Sequence, residues 1–217
     1  YYKLSYEKGQ LHLFDKKMQQ SYDNILSFED GGDEGDTYDY SPAHADRVFD
    51  LTLTGSERKA FCGENYQELI LTGTWDLPKD LKERAEGICQ QKQDYELKIT
   101  LKKGSKHLEC HLTIDNQVLD HRMRAVINLP FANQYSYTDT PFGTVKREAE
   151  DPHLKDWQEI GWREEPTAIY PMLKWGNVHD DKNSWTFFAK GIKEYQLIGE
   201  NHHQLALTLF RSVGFLG

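Results

Sequence analysis

Between Tyr95 and Ile114 the chain alternates apolar and polar residues on both sides of a single turn. Tyr95, Leu97, Ile99 and Leu101 are interleaved with Glu96, Lys98, Thr100 and Lys102. Gly104-Ser105 reverses the chain, and Leu108, Cys110, Leu112 and Ile114 then alternate with Glu109, His111 and Thr113. Successive side chains of a strand point to opposite faces, so a period of two predicts two strands with one buried and one wet face. A hairpin of that kind belongs in an antiparallel sheet.

The same period recurs along the chain. Tyr2, Leu4 and Tyr6 lead through Lys8-Gly9 to Leu11 and Leu13, a second hairpin pattern. Phe49, Leu51 and Leu53 share a face before Gly55-Ser56, and Leu69, Leu71 and Trp75 continue the alternation until Leu77-Pro78 ends it. After Asp115-Asn116, Met123, Ala125 and Ile127 predict a third strand following the hairpin. The alternation returns at 185–189, 195–198 and 205–213. Lys79 to Glu86 is the one helical candidate; it is short, highly charged and lacks a full apolar stripe, which predicts a turn or two at the surface. Pro130 to Asn183 is irregular and predicts long loops with short strands. Many closely spaced strands with almost no helix predict an all-β fold, a large antiparallel β-sandwich occupying 1–217 as one domain.

A formal net charge of −9 argues against nucleic acid and against an anionic membrane surface, both of which need a basic patch. No apolar run reaches bilayer length. The chain begins at Tyr1 with no signal-peptide pattern, and it is read as a piece of a longer polypeptide. Cys62, Cys89 and Cys110 form no CxxC pair, so neither a disulfide framework nor a zinc ribbon is expected; reduced structural thiols in a cytoplasmic protein fit better. The five tryptophans suit a sandwich core or a sugar-binding surface.

Chemistry concentrates in Phe28 to Pro42, FEDGGDEGDTYDYSP, where six carboxylates sit among three glycines with no regular period. Glycine with aspartate favours turns, so a surface loop rich in oxygen ligands is expected. Counted from Asp30, the third position of a calcium loop is Gly32, which is not a ligand, so a solvated acidic turn is the better reading. His107 and His111 share a strand face but lie about 13 Å apart, and His202-His203 has no partner spacing. GxSxG, GxxxxGK[ST] and GxGxxG patterns are all missing, and the chain holds no self-contained catalytic motif.

The motifs resemble those of glycoside hydrolase family 38, the α-mannosidases, in the β-rich region after the catalytic barrel. Besides 28–42, the resemblance runs through Asp120-His121-Arg122-Met123-Arg124, through Thr138-Asp139-Thr140-Pro141-Phe142-Gly143 with Val145 and Arg147, through Trp162 to Pro166 with Tyr170-Pro171, and through Leu207 to Gly214, LTLFRSVG. These stretches follow one another in the family's order over nearly the whole chain, and the bacterial branch is the nearest fit.

The resemblance implies a galactose-mutarotase-like supersandwich that is the non-catalytic part of a retaining, zinc-dependent, cytoplasmic bacterial α-mannosidase. Its partners would be an amino-terminal catalytic barrel of the same chain and an α-mannoside or N-glycan-type oligosaccharide, with homo-oligomerisation left open. Zinc and the aspartate nucleophile would belong to that barrel, with no catalytic residue and no metal expected here. Two substrate-binding positions carry over. Tyr38, four residues before Pro42, would lend its phenol to the edge of the active site, and Arg147 would clamp sugar hydroxyls or an anionic aglycone. The competing readings are a tyrosine packed under its loop and an arginine paired with Glu148 or Glu150; Asp139 is expected to cap its own turn. The alternative for the whole chain is a free-standing carbohydrate-binding module.

Overall fold

The computed structural model describes residues 1–216. Its strands are β1 (Tyr2–Glu7), β2 (Gln10–Asp15), β3 (Gln20–Tyr22), β4 (Leu26–Gly32), β5 (Phe49–Leu51), β6 (Glu57–Cys62), β7 (Tyr66–Leu77), β8 (Gln91–Lys102) and β9 (Leu108–Ile114). They continue with β10 (His121–Asn128), β11 (Tyr135–Thr140), β12 (Gly143–Glu148), β13 (Ile169–Pro171), β14 (Trp175–His179), β15 (Ser184–Phe188), β16 (Glu194–Ile198) and β17 (Gln204–Ser212). One α-helix, α1 (Leu81–Glu86), is present among the described residues. The fold is all-β, its sheets are antiparallel, and among the described residues no helix is long and apolar enough to cross a membrane. The chain forms two compact units: Tyr1–Met123 with the residues from Arg211 onward, and Arg124–Phe210.

In the first unit β1, β2 and β3 form a meander, and β6, β7, β8 and β9 a four-stranded sheet in that order. The β1–β2 turn is the two-residue Lys8-Gly9, with φ of 50° and 79°. Positive φ at both positions matches the right-handed twist of the flanking strands. β7 and β8 pair over twelve residues, and Tyr95, Leu97 and Ile99 point inward as their alternation requires. Burying a side chain such as Leu97 contributes about 1.5–3 kcal/mol. Trp75 of β7 stacks on Tyr95 with ring centroids 4.0 Å apart and lies 5.6 Å from Phe28 of β4, so the inner faces of two sheets meet in sandwich fashion. The indole N–H of Trp75 donates to the Thr52 carbonyl at 2.8 Å, which keeps the one polar atom of that ring paired.

The second unit has the sheet β12-β11-β14-β15 and the strand order β13-β16-β17-β10. Tyr195 of β16 is fully buried where they pack; its hydroxyl lies 2.8 Å from the Ser136 hydroxyl, and its ring is 5.8 Å from Phe187.

Five expectations need correction. The first third of the 28–42 stretch is strand, because β4 runs to Gly32 and pairs with β5 through Phe28 to Asp30. Helix α1 does not merely ride on the surface, since its Arg84 is 1% exposed. β10 does not extend the β8–β9 hairpin; it neighbours β17 instead, and it is buried on both faces through much of its length. The 130–183 stretch is less irregular than its composition suggests, because β11 and β12 form a six-residue hairpin there, turning at Pro141-Phe142. The three thiols are free, and Cys62 and Cys110 are exposed, not core residues.

Candidate functional site

The acidic stretch is built in two stages. On β4, Phe28 faces the core at 2% exposure, and alternation places Asp30 on the same side at 0%. A buried carboxylate needs cationic or hydrogen-bonding partners. Asp30 finds them in Arg84, whose guanidinium binds Oδ1, and in His121, whose Nδ1 meets Oδ2. Arg84 also donates to the Arg47 carbonyl at 2.7 Å, and Nε2 of His121 lies 3.0 Å from Asn116 Oδ1. The helix that carries Arg84 is held by its caps: the Asp80 side chain accepts from Glu83 N–H at 3.0 Å, and Gly87 closes the other end at φ 74°.

From Asp33 onward the chain makes a narrow excursion that returns at Pro42, opposite Asp33. Glu34 N–H donates to the Ser41 carbonyl at 2.8 Å and Asp36 N–H to the Asp39 carbonyl at 3.0 Å. The Asp36 carboxylate accepts from the N–H groups of Tyr38 and Asp39 at 2.7 and 2.9 Å, an Asx turn. The N–H groups of Asp39 and Tyr38 hold this carboxyl below its ordinary pKa. A Cβ on Gly35 would stand 2.0 Å from the Asp39 carbonyl, so only glycine permits this close a turn. Tyr38 stands at the tip, 77% exposed, and its phenol makes no hydrogen bond among the described residues. It is not packed under the loop.

Arg211 of β17 ties this excursion down. Its Nε donates to Asp33 Oδ2 at 2.6 Å, and its terminal nitrogen reaches Asp33 Oδ1 at 3.1 Å and the carbonyls of Asp36 and Asp39 at 2.8 and 2.7 Å. The ring of Tyr40 lies 3.4 Å from the Arg122 guanidinium and 6.0 Å from that of Arg211. Asp33 is 1% exposed, so this clamp works largely out of water.

Arg147 lies in the second unit, on β12 opposite Ser136 of β11. Its guanidinium packs 5.0 Å from the centre of the Tyr170 ring, and its Nε is buried without a hydrogen-bond partner. Among the described residues it pairs with neither Glu148 nor Glu150. Burial, reinforced by the Asp151 charge, pushes the Tyr170 phenol above its ordinary pKa. Asp139 accepts from the N–H groups of Leu173, Lys174 and Trp175 at 3.0, 3.0 and 3.3 Å, so it caps the turn before β14 and not its own.

The structure therefore assigns the two predicted substrate residues to different units, each in its own setting. No three metal-ligating side chains converge among the described residues, and the residues present do not fit a zinc site. Asp33 and Tyr40 belong to the acidic stretch and Arg211 to the LTLFRSVG segment, but nothing in the sequence joins them. The signal for Arg211 was a lone charge inside the apolar run from Leu205 to Val213, which implies a buried partner for that charge.

Residues 1–215 match the family model for the Glycosyl hydrolases family 38 C-terminal domain. A relative from Halalkalibacterium halodurans bearing the name "Putative mannosylglycerate hydrolase" is 27% identical over 233 residues, which cover 98% of this chain and 24% of the relative. The crystal structure of an α-mannosidase from Enterococcus faecalis is similar with a TM-score of 0.79 at 25% identity, over 99% of this chain and 25% of that one. A protein in glycosyl hydrolase family 38 from Enterococcus faecalis shares the fold with a TM-score of 0.76 at 24% identity, over 99% of this chain and 26% of its own. The chain spans about a quarter of the length of the relatives it matches.

Proposed function

Since this chain belongs to the glycosyl hydrolases family 38 C-terminal domain family, we propose that it is the non-catalytic β-region of a zinc-dependent, retaining α-mannosidase-type hydrolase. In this reading an amino-terminal domain of the same polypeptide supplies the zinc and the nucleophile, and this region lends substrate contacts at the edge of the cleft. The observation that carries it is Tyr38: a tyrosine 77% exposed, with a free phenol, on a turn fixed by Asp36, Gly35 and Arg211. A large aromatic held rigidly in solvent with its hydroxyl unspent has little structural purpose, and it suits a sugar hydroxyl.

The relative named for mannosylglycerate supports a finer reading for Arg147. Glycerate carries a carboxylate, and a guanidinium with an unpaired Nε beside Tyr170 is suited to an anionic aglycone.

The test is turnover of α-mannosides by the full-length hydrolase. Tyr38→Phe removes one neutral hydrogen bond and should lower kcat/KM about fivefold, whereas Arg147→Gln should weaken mannosylglycerate far more than an uncharged mannoside. An unchanged rate with Tyr38→Phe removes this residue from the substrate. Calorimetry on the isolated region should show no mannoside binding; measurable affinity would favour a free-standing carbohydrate-binding module.

A further inference from the structure

The turn bearing Tyr38 is held from within by the Asp36 carboxylate, which accepts from the N–H groups of Tyr38 and Asp39, and by the Asp33 carboxylate, which accepts from Gly35 N–H at 2.9 Å. Between Asp33 and Pro42 it is braced across its base by Glu34 with Ser41 and at its tip by Asp36 with Asp39. Both carbonyls that flank Tyr38, those of Asp36 and Asp39, converge on one terminal nitrogen of Arg211. That nitrogen and the neighbouring Nε together grip the Asp33 carboxylate where the excursion leaves the sheet. Base and tip of the turn are thus joined through a single planar group. We infer that Arg211 is the positioning residue for Tyr38: it fixes the direction in which the phenol leaves the domain, and it acts on substrate only through that phenol. The inference rests on the reading of Tyr38 as a substrate contact.

The chemistry requires arginine. The planar fork presents several N–H groups in fixed directions, so its Nε edge can hold a carboxylate while the terminal nitrogen shared with that edge also serves two carbonyls. A lysine ammonium at the same place would keep the charge pair with Asp33 but could not span all three points. The arginine side chain in the ion pair is 16% exposed, and its partner Asp33 is fully buried, so water competes weakly for these bonds. The Tyr40 ring lies beside the fork, its centre 6.0 Å from the guanidinium carbon. The rival explanation is that Arg211 only anchors its own strand, in which case the loss of its contacts should lower stability without acting through Tyr38.

The experiment is a double-mutant cycle in the full-length hydrolase, with kcat and KM measured well below the unfolding temperature for Tyr38→Phe, Arg211→Lys, Arg211→Gln and each pair. A misplacement of the phenol by about 1 Å can cost up to about 100-fold. The expected result is a loss with Arg211→Gln at least as large as that with Tyr38→Phe, a smaller loss with Arg211→Lys, and a double variant no worse than Arg211→Gln alone. Hydrogen exchange at the amides of 36–39 should accelerate in both arginine variants. Should Arg211→Gln fail to fold, Arg211→Lys and its exchange rates carry the test. If Tyr38→Phe weakens turnover while the arginine variants do not, or if the losses multiply independently, the positioning role is overturned and the reading of Tyr38 survives. If Tyr38→Phe has no effect, the reading of Tyr38 fails, and the positioning role with it.

Discussion

Arg84 and Asp30 close on each other with side chains 1% and 0% exposed, the cation from the one α-helix among the described residues and the anion from the middle of a strand. His121 meets the second oxygen of the same carboxylate, and Asp46 lies 3.8 Å from the Arg84 guanidinium. A guanidinium and an imidazole thus meet two carboxylates at one point of the first unit. Such a cluster is held by mutual pairing, and removing one member leaves the others uncompensated.

Breaking this pair should be among the most damaging single changes in the first unit. Asp30→Ala leaves Arg84 without its carboxylate and is expected to cost about 3–5 kcal/mol. Replacing both partners by apolar residues, Asp30→Leu with Arg84→Met, should recover much of that loss. Urea denaturation followed by tryptophan fluorescence checks both; a midpoint unmoved by Asp30→Ala would contradict a buried ion pair.

Gly176 of β14 faces Phe187 across the strand pair, and a Cβ there would stand 2.0 Å from the ring. Gly176→Ala therefore overpacks the second unit and should cost about 1–3 kcal/mol. The ring is the obstacle, so adding Phe187→Leu should make the combined loss smaller than the sum of the two. Thermal unfolding of the four proteins measures this, and strict additivity would place the strain elsewhere.

Alkaline conditions should unfold the protein through its tyrosines. Burial pushes the phenols of Tyr95 and Tyr195 above the ordinary tyrosine value, although Ser56 and Ser136 hydroxyls partly oppose it. The unfolded chain loses these protons first, near pH 10. Stability is then complete below that pH and falls as pH rises toward the folded-state values. Phenolate absorbance should show a class of tyrosines that ionises only with unfolding; a titration in which all twelve ionise together near pH 10 in the folded protein would refute this.

On the acid side, Asp139 is the residue to test. Partial burial draws its carboxyl upward, but the N–H groups of Lys174, Trp175 and Leu173 outweigh that and hold it below the ordinary value. Its stabilising effect is present above the unfolded pKa of about 4 and is lost as pH falls through the folded-state value. Asp139→Asn should lower stability at neutral pH and flatten its decline between neutral and acid conditions. An acid limb identical to that of the parent would rule out this role.

The hairpin β8–β9 was legible because its information is local: alternation and one glycine turn specify both strands and their register. The neighbour of β10 was not legible, since the segment of Met123, Ala125 and Ile127 reads as a strand whichever sheet receives it. The acidic stretch was misread for a related reason. Six carboxylates suggest water, yet Asp30 sits two residues from Phe28 and must share its face once β4 forms. The turn around Tyr38 was foreseen from its glycine and aspartate content, whereas its fastening to Arg211 links positions 178 residues apart and leaves no local trace.

By itself the sequence determined the strand-rich class, most turns and the family resemblance, because periodicity, turn chemistry and ordered motifs are properties of neighbouring residues. Only the tertiary structure decided which charges are buried together, which strands are neighbours, and that Tyr38 projects freely while Arg147 lies against Tyr170. Those outcomes depend on long-range pairing and desolvation, which arise only when distant segments meet.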